Sequence, residues 1–388
     1  MRIYLDHNAT TPLDPVVADR VAETMRSVWG NASSIHHFGQ QAKAVLDEAR
    51  GQIASFIGAD TSEIVFTAGG TEGNNLAIRG VADAAEASGR KHLVTSAIEH
   101  EAVLNTMKSL ARKGWRITVV PVDASGIVSI DRVRDAITDD TAIVSVMHAN
   151  NEIGTVQPIA EIAAIAHERG ALCHTDAVQS AGKMPIDVRA LGVDLLTIAA
   201  HKFYGPKGAG ALWVKRGVRL VSPLTGGRQE RSRRAGTENV PALAGMGVAA
   251  QLAQRSLASE GPRLAALRDR LEHGILATIS GTERNGAATP RVPNTANISI
   301  DRVEAESLLI GLDLAGIAVS SGSACSSGTL EPSHVLKAMG LPHARTLGSI
   351  RFSFGAANTG ADVDRVLEAL PPLVDKLRSL TTVGGRTK

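Results

Sequence analysis

Residues 142–175, AIVSVMHANNEIGTVQPIAEIAAIAHERGALCHT, decide the fold. Ala142–His148 is a short apolar run rich in β-branched residues. Ile159–Arg169 carries apolar residues at helical spacing, and Leu172–Thr175 is apolar again. Strand, helix, strand in that order is a βαβ unit, and its crossover makes the two strands parallel. The pattern extends on both sides. Glu63–Thr67, His92–Ser96, Ile117–Pro121 and Leu195–Ala199 read as further buried strands. Asn74–Ser88, Ala102–Lys113 and Asp131–Ile137 read as the helices between them. Gly210–Val214 adds a later, antiparallel strand. The expectation is an α/β fold around a mostly parallel seven-stranded sheet covered on both faces.

Beyond that sheet, Pro241 to about Ile279 reads as one long helix bridging two domains, and Pro290 and Pro293 mark a loop after it. The last hundred residues alternate again. Asn297–Ile300, Ala318 and Ser349–Phe354 read as strands; Ala305–Leu312, Ser333–Met339 and Val363–Leu380 read as helices. This predicts a large domain over 15–261 and a smaller α+β domain made of 1–14 and 262–388. Thr381–Lys388, rich in Gly and charge, is expected to fray.

Composition narrows the function classes. Of 388 residues, 44% are apolar and 21% charged, as in an ordinary soluble domain pair. Aromatics are only 3%, so the core must be built mainly from Ala, Val, Ile and Leu. A formal charge of +2 is not the footprint of a nucleic-acid binder. The densest basic stretch, Arg228 to Arg234, suits a solvated loop or a functional one equally. No signal peptide and no membrane-spanning run is visible. The two cysteines, Cys173 and Cys325, are too few and too unlike in context for a disulfide or zinc framework. A cytoplasmic, reducing location is the expectation.

In an open α/β sheet, ligands bind beyond the carboxyl ends of the strands. The residues there are Gly69-Gly70-Thr71-Glu72, Glu99-His100, Asn150-Asn151-Glu152, Asp176-Ala177-Val178-Gln179 and His201-Lys202. Taken singly, each has a bland explanation: a turn, a helix cap, a structural histidine or a surface lysine. Together they match the needs of pyridoxal phosphate. Lys202 supplies the amine for a Schiff base with the cofactor aldehyde. Asp176, directly after an apolar strand, suits the pyridine nitrogen, which must stay protonated. Gly69-Gly70-Thr71, opening the helix at Asn74, offers backbone N–H groups to the phosphate. Gln179 is placed to donate to the ring oxygen, and His100 to stack on the ring face. Cys325 lies in Ser320-Ser321-Gly322-Ser323-Ala324-Cys325-Ser326-Ser327-Gly328, among small residues that suit a mobile, solvated loop. Cys173, in Ala171-Leu172-Cys173-His174, reads as a buried strand residue without chemistry.

With these residues in view, the chain resembles the cysteine desulfurases of the NifS/IscS type, in the class-V aminotransferase family. The likeness runs nearly end to end. Its marks are Tyr4 to Thr11, Gly30 to His36, Phe66 to Glu72, His174 to Gln179, His201-Lys202, Arg234 to Thr237, and Ser320 to Ser326. The Ser-Ser-Gly-Ser-Ala-Cys stretch is similar to the long-loop group of that family. The resemblance implies a fold-type I pyridoxal 5'-phosphate enzyme working as a homodimer. It implies Lys202 as the Schiff-base lysine and Cys325 as the persulfide carrier; His100, as an imidazole, is by its own chemistry the expected catalytic proton carrier at the thiol. It implies Gly70, Thr71, His201 and, from the other subunit, Thr237 near the phosphate. Asn151 is implied at cofactor and substrate, and Arg351 at the substrate carboxylate, where a guanidinium fork matches two oxygens. One departure is visible: the family commonly has a serine three residues before the lysine, and here stands Ala199.

The expected reaction removes sulfur from free L-cysteine, leaving alanine and a persulfide on Cys325. The sulfur then passes to an acceptor such as an iron–sulfur scaffold protein. No metal is required, although Cys325 is able to ligate a cluster during transfer. Alternatives are a selenocysteine lyase, a kynureninase-like hydrolase or another lyase of this fold, an aminotransferase, and, from a different class, a non-catalytic sulfur-relay scaffold.

Overall fold

A computed structural model describes residues 2–321 and 332–384 of the chain. Near the N-terminus lies a short strand, β1 (Ile3–Tyr4). The central sheet contains β2 (Ile64–Thr67), β3 (His92–Ser96), β4 (Arg116–Val120), β5 (Thr141–Ser145), β6 (Leu172–Asp176), β7 (Leu195–Ala199) and β8 (Gly210–Val214). Its order is β2-β8-β7-β6-β5-β3-β4. The four neighbour pairs from β7 to β4 are parallel, and β8 runs antiparallel to both β7 and β2. The expected mostly parallel seven-stranded sheet is therefore present, with the antiparallel strand where the sequence places it. Except at the β4 edge the strands are buried along nearly their whole length. That is why they read as continuous apolar runs and not as alternating ones.

Boundaries shift for local reasons. β4 starts at Arg116, which pairs with His92, and stops before Pro121, which has no N–H to give a ladder. The helix expected from Asn74 begins at Gly70 and runs to Ala85, with a 3-10 turn over Glu86–Ser88. Glycines hide its first turn from a periodicity reading. Two long helices escaped that reading altogether, Pro15–Ser27 and His37–Ile57. Their end signals are in the sequence: Asp14 caps the first, with Pro15 in its opening turn, and Gly58 at φ 70° closes the second.

Both pack on one helix of 39 residues, Val240–Thr278, which joins two apolar clusters. Leu243, Met246 and Ala250 lie in the core under the large sheet. Leu264, Leu271 and Ile275 lie in a second core with Phe352 and Val366. Pro262 stands between the two halves, where the helix passes from one core to the other. The second core covers an antiparallel sheet of β9 (Thr282–Arg284), β10 (Thr295–Ile300) and, after β11 (Ile317–Ala318), β12 (Ser349–Ser353). Its order is β12-β10-β9, while β11 pairs in parallel with β1. β9 is short and partly exposed, and no apolar pattern announces it. The last helix, Gly360–Gly384, outruns the expected end at Leu380. Among the described residues no helix is long and apolar enough to cross a membrane.

Candidate active site

The turns after β2, β3, β5, β6 and β7 all open at one edge of the sheet, because those strands share a direction. They surround a cavity of about 350 Å³, within the range of small-molecule and cofactor sites. Every expected cofactor or substrate residue lines it except Thr237, which is exposed on a loop and is not part of the lining. Cys325 lies outside the described residues.

One wall is the start of the helix Gly70–Ala85. Its first N–H groups have no partner within the helix, which suits them to an anion. Gly69 has φ 151°, a conformation L side chains avoid, and a Cβ at Gly70 would come within 2.8 Å of Val178 Cγ2. The glycines thus let the helix end press against the β6 turn. Arg234, from the loop that carries Thr237, holds this end from outside through Glu72 at 2.7 Å.

Beside it stands Asp176 at the end of β6. Its Oδ1 accepts from Val178 N–H at 2.9 Å and its Oδ2 from Asn74 Nδ2 at 2.6 Å. Asn74 Oδ1 is buried without a partner. Asn74 was not among the expected site residues. Its polarity at a helix position facing the sheet was the signal that could have found it.

Lys202 follows β7 in a 3-10 turn. Its Nζ donates to the main-chain oxygens of Asn8 at 2.6 Å and Ala9 at 2.7 Å. Burial first, and Arg351 second, pull its ammonium down to about 8, against the opposing pull of Asp176 and Asp6. A lysine so placed yields its free amine far more readily than an exposed one. His201, next to it, meets Thr10 Oγ1 at 3.1 Å, and burial followed by Lys202 and Lys207 lowers it to about 4. At neutral pH its ring is uncharged. Ala199, buried at the cavity wall, carries no hydroxyl.

His100 caps the next helix. Its Nδ1 accepts from Ala102 N–H at 3.0 Å, so in the neutral ring the proton sits on Nε2. Capping, the structural reading of His100, thus also fixes its tautomer.

Arg351, on β12, reaches the cavity from the second core. Its two terminal nitrogens donate to Asp6 at 2.6 Å and to Asn151 O at 2.9 Å, while Nε is buried without a partner. The same residue pairs through its main chain with Ser320. Farther along, Ser333 Oγ donates to Glu152 Oε2 at 2.5 Å and His334 Nε2 meets Glu99 O at 2.9 Å. The chain on either side of residues 322–331 is therefore fixed beside the site.

The N-terminal segment was read as a family signature and not as site residues. Asn8 lies at the centre of the polar contacts, with Gln179 Nε2 donating to its main-chain oxygen at 2.9 Å. Lys183, buried behind it, was likewise missed, since a lysine reads as surface in any hydropathy pattern.

Glu99 is fully buried, accepting from Ser96 and from Met147 N–H, with Oε2 unpartnered. Burial pushes its carboxyl up to about 8, although those hydrogen bonds pull the other way. It keeps its proton at neutral pH. Folding therefore gains protons there, and the stability this brings is full below about pH 4.5 and fades as pH rises toward 8. Glu99→Gln, which cannot ionise, is expected to unfold at a higher temperature than the parent at about pH 9, with the difference shrinking toward about pH 5. Thermal unfolding at both pH values checks this; a pH-independent difference would refute a protonated Glu99.

These observations agree with comparisons to known proteins. The aminotransferase class-V family matches residues 3–366. A cysteine desulfurase of Gluconacetobacter diazotrophicus is 49% identical over 381 residues, 98% of this chain and 95% of that one. The NifS-like protein of Rickettsia africae superimposes with a TM-score of 0.87 at 36% identity, covering 97% of this chain and 100% of that one. SspA, solved in complex with cysteine, gives 0.81 at 35% identity, covering 91% and 99%. The chain belongs to the aminotransferase class-V family and, within it, to the cysteine desulfurases.

Proposed function

We propose that this cysteine desulfurase holds pyridoxal 5'-phosphate in the cavity at Lys202 and stores the removed sulfur as a persulfide on Cys325. The observation that carries the reading is the meeting of Lys202, Asp176 and the helix start at Gly70 around one cavity of cofactor size. The unpartnered buried atoms Asn74 Oδ1 and Arg351 Nε fit a site built for a polar guest.

When bound, the cofactor supplies an aldehyde for the Schiff base and a protonated ring that accepts the electron pair released at the substrate Cα. Gly70 and Thr71, with His201, hold the phosphate. Asp176, steadied by Asn74 and Val178, keeps the proton on the ring nitrogen. Gln179 has an N–H to spare for the ring oxygen. Arg351 and Asn151 grip the substrate carboxylate. Lys202 moves the proton at Cα, and His100 Nε2 moves the proton at the thiol.

Cys325 attacks as thiolate. Its sulfur bonds to the substrate sulfur, the substrate carbon–sulfur bond breaks, and that carbon gains a proton. Cysteine and a thiol become alanine and a persulfide, with no outside oxidant. Ser320 lines the cavity and Cys325 is five residues farther on. Five residues span at most about 17 Å, enough to reach the cavity and to turn outward. The persulfide then passes to an acceptor such as an iron–sulfur scaffold protein. A reducing cytoplasm keeps such a thiol available.

A second copy of the chain completes the site with Thr237. The exposed ring pair Trp29 and Phe38, stacked at 4.4 Å, and Ile35, 95% exposed, are apolar surface that a homodimer has reason to cover. We place the domain boundary within the long helix, with 15–261 carrying the first core and 1–14 with 262–388 the second.

Incubating the pure protein with L-cysteine is expected to yield alanine and one added sulfur on the peptide that contains Cys325. Alanine without that added sulfur refutes the persulfide. A strong preference for selenocysteine in the same assay favours the lyase instead.

A further inference from the structure

Behind the cofactor cavity, Lys183 sits in the turn that follows β6, buried to 8% exposure. Its Nζ donates to Gln179 Oε1 at 2.6 Å and to Asn8 Oδ1 at 2.9 Å. Among the described residues no carboxylate pairs with it. We propose that Lys183 is a positioning residue for the reaction, aligning the Gln179 amide and the Asn8 main chain against the nitrogen of Lys202. The proposal rests on the reading of Lys202 and Gln179 as cofactor residues.

The geometry is a closed loop of hydrogen bonds. Lys183 fixes which end of the Gln179 amide faces which way, since only the oxygen can accept from it. That leaves Gln179 Nε2 to donate to Asn8 O at 2.9 Å, the same oxygen that accepts from Lys202 Nζ at 2.6 Å. The Asn8 side chain is held from four sides. Its oxygen accepts from Lys183 and from Asn294 at 3.1 Å; its nitrogen donates to Thr295 Oγ1 at 2.8 Å and Asn151 O at 3.0 Å. Remove Lys183 and the Gln179 amide is free to turn over, and Asn8 loses one of its four ties.

Partner count and surroundings both favour the uncharged amine of the lysine. An ammonium has three protons to place and a neutral amine two, and among the described residues two acceptors are present. Burial, then the charges of Lys202 and Arg351, push Lys183 well below the usual range of an ammonium. An uncharged amine donates without adding a second positive charge behind Lys202. Methionine has the length but no donor, arginine has donors but a permanent charge, and glutamine is neutral with donors but shorter.

The test is a holoenzyme comparison of Lys183→Met, Lys183→Gln and Lys183→Arg by visible spectrum, rate of cofactor loss and cysteine kinetics. Losing a buried hydrogen bond of this kind is worth about 10- to 100-fold. Lys183→Met is expected to shift the visible band, speed cofactor loss and lower kcat by about that factor, with KM changed less than about threefold. Lys183→Gln is expected to recover part of each loss and Lys183→Arg none. A Met variant matching the parent in band, cofactor retention and kcat overturns the proposal. If the Met variant does not fold, an Arg variant equal to or better than the Gln variant overturns it. A parent protein with no visible band that cysteine alters would instead overturn the cofactor reading itself.

Discussion

Lys202→Ala is expected to lose the visible absorption of the cofactor-bound protein and to lower desulfurase turnover by about 10³-fold or more. Two effects add. The amine that tethers the cofactor aldehyde is gone, and so is the base at the substrate Cα, worth about 10²- to 10⁴-fold by itself. The geometry is specific to this nitrogen, which is held by Asn8 O and Ala9 O and faces the cavity. Its lowered ammonium adds a pH arm. The amine form is the nucleophile and prevails above the pKa, so colour regained on adding cofactor to the stripped parent protein should quicken as pH rises through about 8. An ordinary lysine would show that rise near 10.5. A variant that keeps the parent spectrum removes Lys202 from the site.

Cys325→Ser is expected to bind the cofactor as the parent does and to change its spectrum on adding cysteine, yet to make alanine at a rate lower by about 10³-fold or more. A hydroxyl at physiological pH is a far weaker nucleophile than a thiolate, and no oxygen counterpart of a persulfide forms with it. Cys173 cannot substitute. It lies fully buried in β6, and burial together with Asp194 pushes its thiol pKa up, so the thiolate is scarce there. Alanine release at the parent rate would put the sulfur carrier elsewhere. The contrast between the two variants matters more than either alone: one loses colour and catalysis, the other catalysis only.

Much of the candidate site was legible because its parts fall at strand ends, where position along the chain predicts position in space. Asp176, Lys202 and the glycines before Thr71 each follow an apolar run, and parallel strands bring such ends to one edge. Asn8, Asn74 and Lys183 were not legible in the same way. Asn8 comes from a segment nearly two hundred residues from Lys202 and carries no periodic signal. Lys183 is buried against the habit of its residue type, which only its partners explain. Pro15–Ser27 and His37–Ile57 were missed although Asp14-Pro15 and Gly58 marked their ends.

The amino-acid sequence alone determined the alternation of strands and helices, the order of functional residues along the chain and the kind of chemistry they can do. Those follow from periodicity and residue type, which are local properties. Tertiary structure decided that Arg351, from the second core, and Asn8, from the N-terminal segment, share a cavity with Lys202. It also decided that Lys202 is depressed and Glu99 protonated. Burial and neighbouring charge set those states, and both arise only when distant segments exclude water together.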